Sequence, residues 1–444
     1  MKNPKININR RKILFGLSAT SLLAPIKAFS QSGAFLNAAE RGLKPNISQD
    51  QSALFQKLID EALSLGLSIF IPAGNYFISN IRLPSNISIS GIFGATIFIP
   101  LKDEVVFLAN DAKNILIKNI TIDGVGIAKQ NLIHFYNCNN IMFEKTNLTN
   151  SLENGFFLEK CQGAISFCNI SRIKMAAIHI QDSAGMLVSS NKITNCNNGG
   201  ILVWRYESAR DGSIITNNQI SGIGSESGSG QNGNGINLYQ ADEVIISDNS
   251  ITDCAFSAIR VNTTKDTIIN GNICTQCQEV AIFSEFAFSG SIISNNLIDE
   301  ASLGISVSNF DYGGRLAIIS GNIVRNIWKF SPTNSDVIAT GIYAEADSAI
   351  YSNVIENVPG FGIVAGWGPY LRDMLVSQNI VRNTKIAIAV SVVDGVGSAH
   401  ITGNLISSTA TAIQGMEWTK NIGSDLAINP EQFPAHTISG NFVS

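Results

Sequence analysis

Charge is what this sequence has least of: charged side chains make up 14% of its 444 residues and the formal net charge is −4. Phosphate binding needs clustered Lys and Arg, and no such cluster follows the N-terminus, so nucleic acid is excluded as a partner. Cysteine is sparse too, with seven in the whole chain, too few for a disulfide-dense scaffold. Cys274 and Cys277 form a CxxC, but no second pair or His cluster stands at metal-ligand spacing, which argues against zinc. After the N-terminal segment no apolar run approaches the roughly 20 residues that span a bilayer. What the chain has is core: 45% of its residues are hydrophobic, far too many for a disordered polypeptide.

The N-terminus carries its own message. Met1 to Arg11 is basic, Ile13 to Leu23 is mostly apolar, and Ala28 and Ser30 offer a small-x-small cleavage pattern before Gln31, the layout of a signal peptide over residues 1–30. Arg10 and Arg11, with Lys27 near the cleavage site, read as a twin-arginine address, which implies the twin-arginine export machinery as a partner. The mature protein is expected in the periplasm or outside a bacterial cell, with residues 31–47 as linker.

The decisive feature is a two-part phrase repeated down the chain. A short apolar run ends in Asn, as in VSSNKI, IITNNQI, IINGNI and ITGNLI, with register Asn at 191, 218, 249, 272, 296, 322, 353, 379 and 404. Weaker copies stand at Asn119, Asn147 and Asn169. A few residues on comes Gly or Ala, then alternating apolar residues, as in GILV at Gly200, GINL at Gly235 and AIRV at Ala258. Each half is too short for a helix, alternates with period two and is bounded by Gly, Asn, Ser or Asp, so each reads as a strand. Successive copies lie one solenoid unit apart and no helix separates them. A coil that stacks on itself supplies each strand with a parallel neighbour from the next coil. The expected fold is therefore all-β, a right-handed parallel β-helix over residues 101–444. Its equivalent Asn side chains then fall about 4.8 Å apart and can form an amide ladder. The same stacking puts Cys254 over Cys277 and Cys138 over Cys161, at a separation that permits a disulfide, with buried free thiols the expected state.

The open end of a solenoid needs a cover, and residues 48–100 are expected to supply it with the first coil. Ser48 and Gln51 read as a capping box, Leu54, Phe55, Leu58, Ile59, Ala62 and Leu63 keep helical spacing, and Gly66 marks the stop. The run SIFIPAGNYFIS that follows reads as the first strand pair.

Cap helix, IPAGNY turn and Asn repeats resemble the pectin-lyase-like β-helix superfamily over nearly the whole mature chain. With the signal, they also resemble an uncharacterised family of twin-arginine-translocated repeat proteins, which implies no established activity. The superfamily resemblance implies polysaccharide lyases, hydrolases, epimerases or phage tailspikes, with sites on the outer face of the GIxV strands.

Outward positions on those strands should stack into two columns. One reads His134, Phe157, His179, Leu202, Asn237, Arg260, Phe283, Ser306, Tyr343; the other reads Tyr136, Glu159, Gln181, Trp204, Tyr239, Asn262, Glu285, Ser308, Glu345. Aromatic faces suit sugar rings and Arg gives directional donors to carboxylates. The expected catalytic residues are Glu285 as acid or base, Arg260 neutralising a substrate carboxylate, and His179 as an alternative base. Trp204, Tyr239, Tyr206, Tyr343 and Glu345 are the expected substrate-binding residues. Turns from Trp204, Ser308 and Gly366, with insertions from Ser221 and Trp328, should wall a groove.

The signatures that resemblance would bring are missing. There is no Gly-His-Gly with paired aspartates, no Asp-Pro-His-Asp, and only a fragment of a polygalacturonase motif at Arg172, Ile173 and Lys174. No cofactor is identified; calcium stays a candidate without a clear acidic cluster. Two readings follow: a lyase or epimerase acting on uronic-acid-containing polysaccharide or cell-envelope glycan, or a non-catalytic glycan-binding or envelope-structural repeat protein. An adhesin or tailspike-like module is third, since no oligomerisation segment is evident.

Overall fold

The computed structural model describes residues 35–228 and 230–444. The signal peptide expected over residues 1–30 lies outside them. Among the described residues no helix is long and apolar enough to cross a membrane.

The chain coils into a parallel β-solenoid. One sheet holds 16 strands and the other 25, the second running round a corner of each coil. Alternation decides which side chains enter: Ile178 and Ile180, Ile201 and Val203, Ile236 and Leu238, Ile259 and Val261 stack coil on coil in one continuous core. Burying a side chain of this size is worth about 2 kcal/mol, and the column repeats it in every coil.

The turns explain the repeat's spelling. The residue before each ladder Asn is left-handed, from Ser190 (φ 57°) and Asn217 (φ 58°) to Gly271 (φ 71°) and Gly403 (φ 66°). Gly, Asn and Asp accept that backbone most easily and fill most of these positions, with Ser at 190 and 352 and Gln at 378. Gly opens GILV for another reason: a Cβ on Gly200 would stand 2.2 Å from the Gly235 carbonyl oxygen of the next coil.

The amide ladder forms as expected. Asn191 Nδ2 donates to Asn218 Oδ1, Asn218 to Asn249, Asn249 to Asn272 and Asn272 to Asn296, each at 2.9–3.0 Å. The chain of bonds continues through Asn322, Asn353, Asn379 and Asn404, and it ends one coil later than expected, at Asn441. Asn119, Asn147 and Asn169 are not members. Asn169 pairs with Lys192, one place past Asn191, so the register position before Asn191 belongs to Cys168, and Thr146 precedes it. Both reach the carbonyl that a ladder amide would take, Thr146 through Oγ1 to Ile117 O and Cys168 through Sγ to Phe143 O.

Helix α1 (Ser52–Leu65) covers the end, with Phe55, Leu58, Ile59 and Ala62 buried. Leu63, expected inside, is 41% exposed. Gly66 stops the helix at φ 66°. The Ser48–Gln51 capping box does not form. Asp50 Oδ1 accepts the Ser52 N–H instead, while the Gln51 side chain clamps Lys44, accepting from its N–H and donating to its carbonyl. Residues 35–47, expected to be linker, belong to the solenoid from the first described residue: β1 (Phe35–Asn37) pairs in parallel with β2 (Ser68–Phe70), and Leu36, Ala38 and Leu43 are buried. A short linker would leave these apolar residues in water. All seven cysteines are buried and free, with Cys254 stacked on Cys277.

Candidate functional site

Both outward columns are laid out as the alternation requires. Leu202 pairs with Asn237, Asn237 with Arg260, Arg260 with Phe283, Phe283 with Ser306 and Ser306 with Tyr343. Trp204, Tyr239, Asn262, Glu285 and Ser308 follow one another in the second column.

Where the columns reach Arg260 and Glu285, the surface opens into a groove of about 620 Å³, within the range of small-ligand sites. Arg260 reaches diagonally across one coil and grips Glu285 with its fork, Nε to Oε1 at 2.6 Å and Nη2 to Oε2 at 2.9 Å. Asn262 Nδ2 adds a third bond to Glu285 at 2.9 Å, and Arg260 Nη1 donates to Gly230 O at 2.6 Å. The guanidinium also lies over the Phe283 ring, 5.3 Å from its centroid. Glu285 is 1% exposed. Burial pushes its carboxyl up, and the Arg260 and Asn262 bonds pull back. Arg260, expected to neutralise a substrate carboxylate, spends its fork inside the protein.

Glu345 lies in the same groove two coils on, 2% exposed. Its Oε2 accepts the Asn309 N–H at 2.7 Å and its Oε1 accepts the Tyr343 hydroxyl at 3.0 Å. Burial pushes its pKa up to about 7 against these stabilising bonds. Tyr343, raised by burial and then by the Glu345 charge, stays a phenol and a donor.

Aromatic rings wall the groove: Trp367 stacks edge-on against Trp418 with centroids 5.7 Å apart and lies 6.3 Å from Tyr343, while Phe286 meets Phe310 at 5.0 Å. The turns after Ser308 and Gly366 and the insertion from Trp328 contribute to this wall, as expected. The segment from Trp204 does not: it continues as strand to Arg210. Among the groove residues that the sequence did not single out are Glu279, Trp367 and Trp418. Glu279 sits inside a single strand, Ile273–Glu285, that rounds a corner through the left-handed Gln276 (φ 54°), and its register shifts between Cys277 and Val280. Trp367 follows the flagged Gly366, and Trp418 sits in a terminal hairpin between Leu405–Glu417 and Lys420–Ile422.

The remaining predicted residues share the face but not the groove. His179 packs between Phe157 and Trp204, at 5.1 and 5.0 Å. Burial lowers its pKa to about 4, so the imidazole is neutral in an aromatic stack. Tyr239 is 40% exposed, and Tyr206 stands in solvent. A second hollow, around Asn326, Asn357 and Asn383, is less suited to a ligand because those amides bond one another. Among the described residues no group of three or more His, Cys, Asp or Glu could hold a metal ion.

Solenoid, register and outer groove define the class as a parallel β-helix. The model of the right handed beta helix region matches residues 104–232, 154–313 and 207–371, more than half of the chain together, and the chain belongs to that family. Among solved structures it is similar to PfbA, a surface adhesin of Streptococcus pneumoniae, at 14% identity and TM-score 0.55, over 88% of this chain and 94% of that one. It is also similar to the catalytic unit of a GH87 alpha-1,3-glucanase from Streptomyces thermodiastaticus, at 14% identity and TM-score 0.52, over 93% and 69%. A third is the enzymatically active domain of tailspike protein 2 from bacteriophage CBA120, at 13% identity and TM-score 0.51, over 69% and 52%. At these identities the fold is what is shared. A comparison with curated protein sequences gives no match.

Proposed function

We propose that this chain is an exported bacterial glycan-active protein, carried by the twin-arginine machinery to the periplasm or beyond, whose groove cleaves a glycosidic bond with Glu345 as general acid. The observation that carries this reading is Glu345 itself, a carboxyl with a pKa of about 7 in an aromatic-walled groove. Proton transfer is most effective when the group's pKa lies near the working pH. Glu345 would protonate the bridging oxygen as its bond to the anomeric carbon breaks, with water giving its hydroxyl to that carbon and its proton back to Glu345. Glu285, held by Arg260 and Asn262, would face the positive charge that develops on the sugar. A lyase or epimerase acting on uronate would need a free cation at the substrate carboxylate, and Arg260 is engaged. A solved glucanase of similar fold is consistent with glycan cleavage on this scaffold.

Two measurements test the role of Glu345. Glu345→Gln should abolish cleavage of any glycan the protein degrades while leaving its affinity within about threefold, since the ring walls remain. If the wild type binds glycan and cleaves none, the second reading holds, a binding protein using the same rings. The folded carboxyl keeps its proton up to about 7 whereas the unfolded one releases it near 4.5. Its burial therefore costs nothing below the lower value and about 3 kcal/mol above the higher. Urea unfolding of wild type and Glu345→Gln should show their stability difference shifting by that amount toward the variant between about pH 4 and pH 8. A constant difference would mean Glu345 titrates normally.

A further inference from the structure

Glu279 is an unused acceptor in the groove. It is 6% exposed, and its Oε1 accepts from Asn334 Nδ2 at 3.0 Å. Among the described residues its Oε2 has no hydrogen-bond partner, and Arg260 Nη1 forms a long ion pair with it at 3.8 Å, too far for a hydrogen bond. A buried carboxylate oxygen left without a donor costs free energy until something supplies one. The surroundings say what that donor can be. Among the described residues lining the groove, Arg260 is the one cation, against the carboxyls of Glu279, Glu285, Glu345, Asp311 and Asp336 in the same lining. Its fork is closed on Glu285. Even with Glu345 protonated the groove carries excess negative charge, and a carboxylated sugar would enter against it without a free guanidinium to meet it.

We infer that the groove takes carboxylate-free sugars, neutral or amine-bearing, and that Glu279 sets this specificity by accepting a hydroxyl or ammonium proton at Oε2 while repelling uronate. This rests on the groove being the glycan site proposed above. It reverses the preference for uronic acids expected from the resemblance, and Arg260 is the reason: the residue that looked free to hold a substrate carboxylate already holds one of the protein's own.

The test is calorimetric titration of the mature protein with three probes of matched length: a neutral gluco-oligosaccharide, a deacetylated chito-oligosaccharide and an oligogalacturonate. The first or second should bind at least tenfold more tightly than the third. The gap should narrow as salt is raised, because screening weakens the repulsion. Glu279→Gln should weaken the favoured probe severalfold and strengthen the oligogalacturonate. Should that variant fail to fold, Asp311→Asn with Asp336→Asn, both at exposed positions, lowers the same field and should narrow the same gap. Tighter binding of oligogalacturonate to the wild type, or a preference unchanged in the variants, overturns the inference and leaves glycan binding standing. Binding of no probe overturns both.

Discussion

Replacing Arg260 with methionine is expected to destabilise the protein by about 4 kcal/mol near neutral pH, the usual cost of removing one partner of a buried ion pair. Glu285 would keep its burial, at 1% exposure, and lose two of its three hydrogen bonds, retaining the one from Asn262. Its carboxyl, already raised by desolvation, would rise further. A carboxyl raised on folding contributes no penalty below its unfolded pKa and a growing one as pH climbs through its folded pKa. The loss in Arg260→Met should therefore be small in acid, where Glu285 takes a proton, and full above neutrality. The double replacement Arg260→Met with Glu285→Leu should recover to within about 1–2 kcal/mol of wild type, because an apolar pair replaces a charge pair at little cost. Urea unfolding at several pH values reads all three, and a loss of stability independent of pH would show that Glu285 is not left charged and buried.

The second large effect lies in the ladder. Asn272 accepts from the backbone N–H and the side-chain amide of Asn249, and donates to Asn296 Oδ1 and Ile246 O. Asn272→Leu keeps the branched shape and removes these four bonds and a fifth, longer one to Asn270 O. The Asn249 N–H and one Asn249 amide hydrogen would then be buried without partners, at about 1–3 kcal/mol each. A total near 5 kcal/mol is expected. Asn441→Leu, at the partly exposed end of the same ladder, should cost under half as much, because water can reach what it orphans. Each coil touches only its neighbours, so the central variant should also broaden the unfolding transition as the flanking stretches part company. Equal losses at the two positions would mean the ladder decorates the stack rather than supporting it.

How far the residues foretold this molecule depends on what kind of constraint each obeys. Strand alternation, the ladder register from Asn191 to Asn404 and the column order of Arg260 with Glu285 are local or periodic, and all were legible. The ladder's true start was not. Asn169 sits one place past the ladder register while Cys168 occupies it, and a shift of one residue hides in a repeat of variable length. Nor was the cap: Asp50, two residues before the helix, outcompetes Ser48 because the Gln51 side chain is drawn away to Lys44. In the groove, the carboxyls on the columns were found and Glu279, Trp367 and Trp418 were not, since they come from a corner, a turn and a hairpin whose paths no period dictates. Arg260 was found with its role inverted. Sequence shows that a guanidinium is present, and only packing shows what already holds it.

The separation between stack and loops has a consequence for descent. Core columns and amide ladder tolerate little change, whereas the turns after Ser308 and Gly366 and the insertion from Trp328 line the groove without entering the stack. Lineages can therefore lengthen, trim or exchange these segments, and so reshape the groove, while inheriting the same spine. On such a scaffold, kinship is to be sought in the ladder and appetite in the loops.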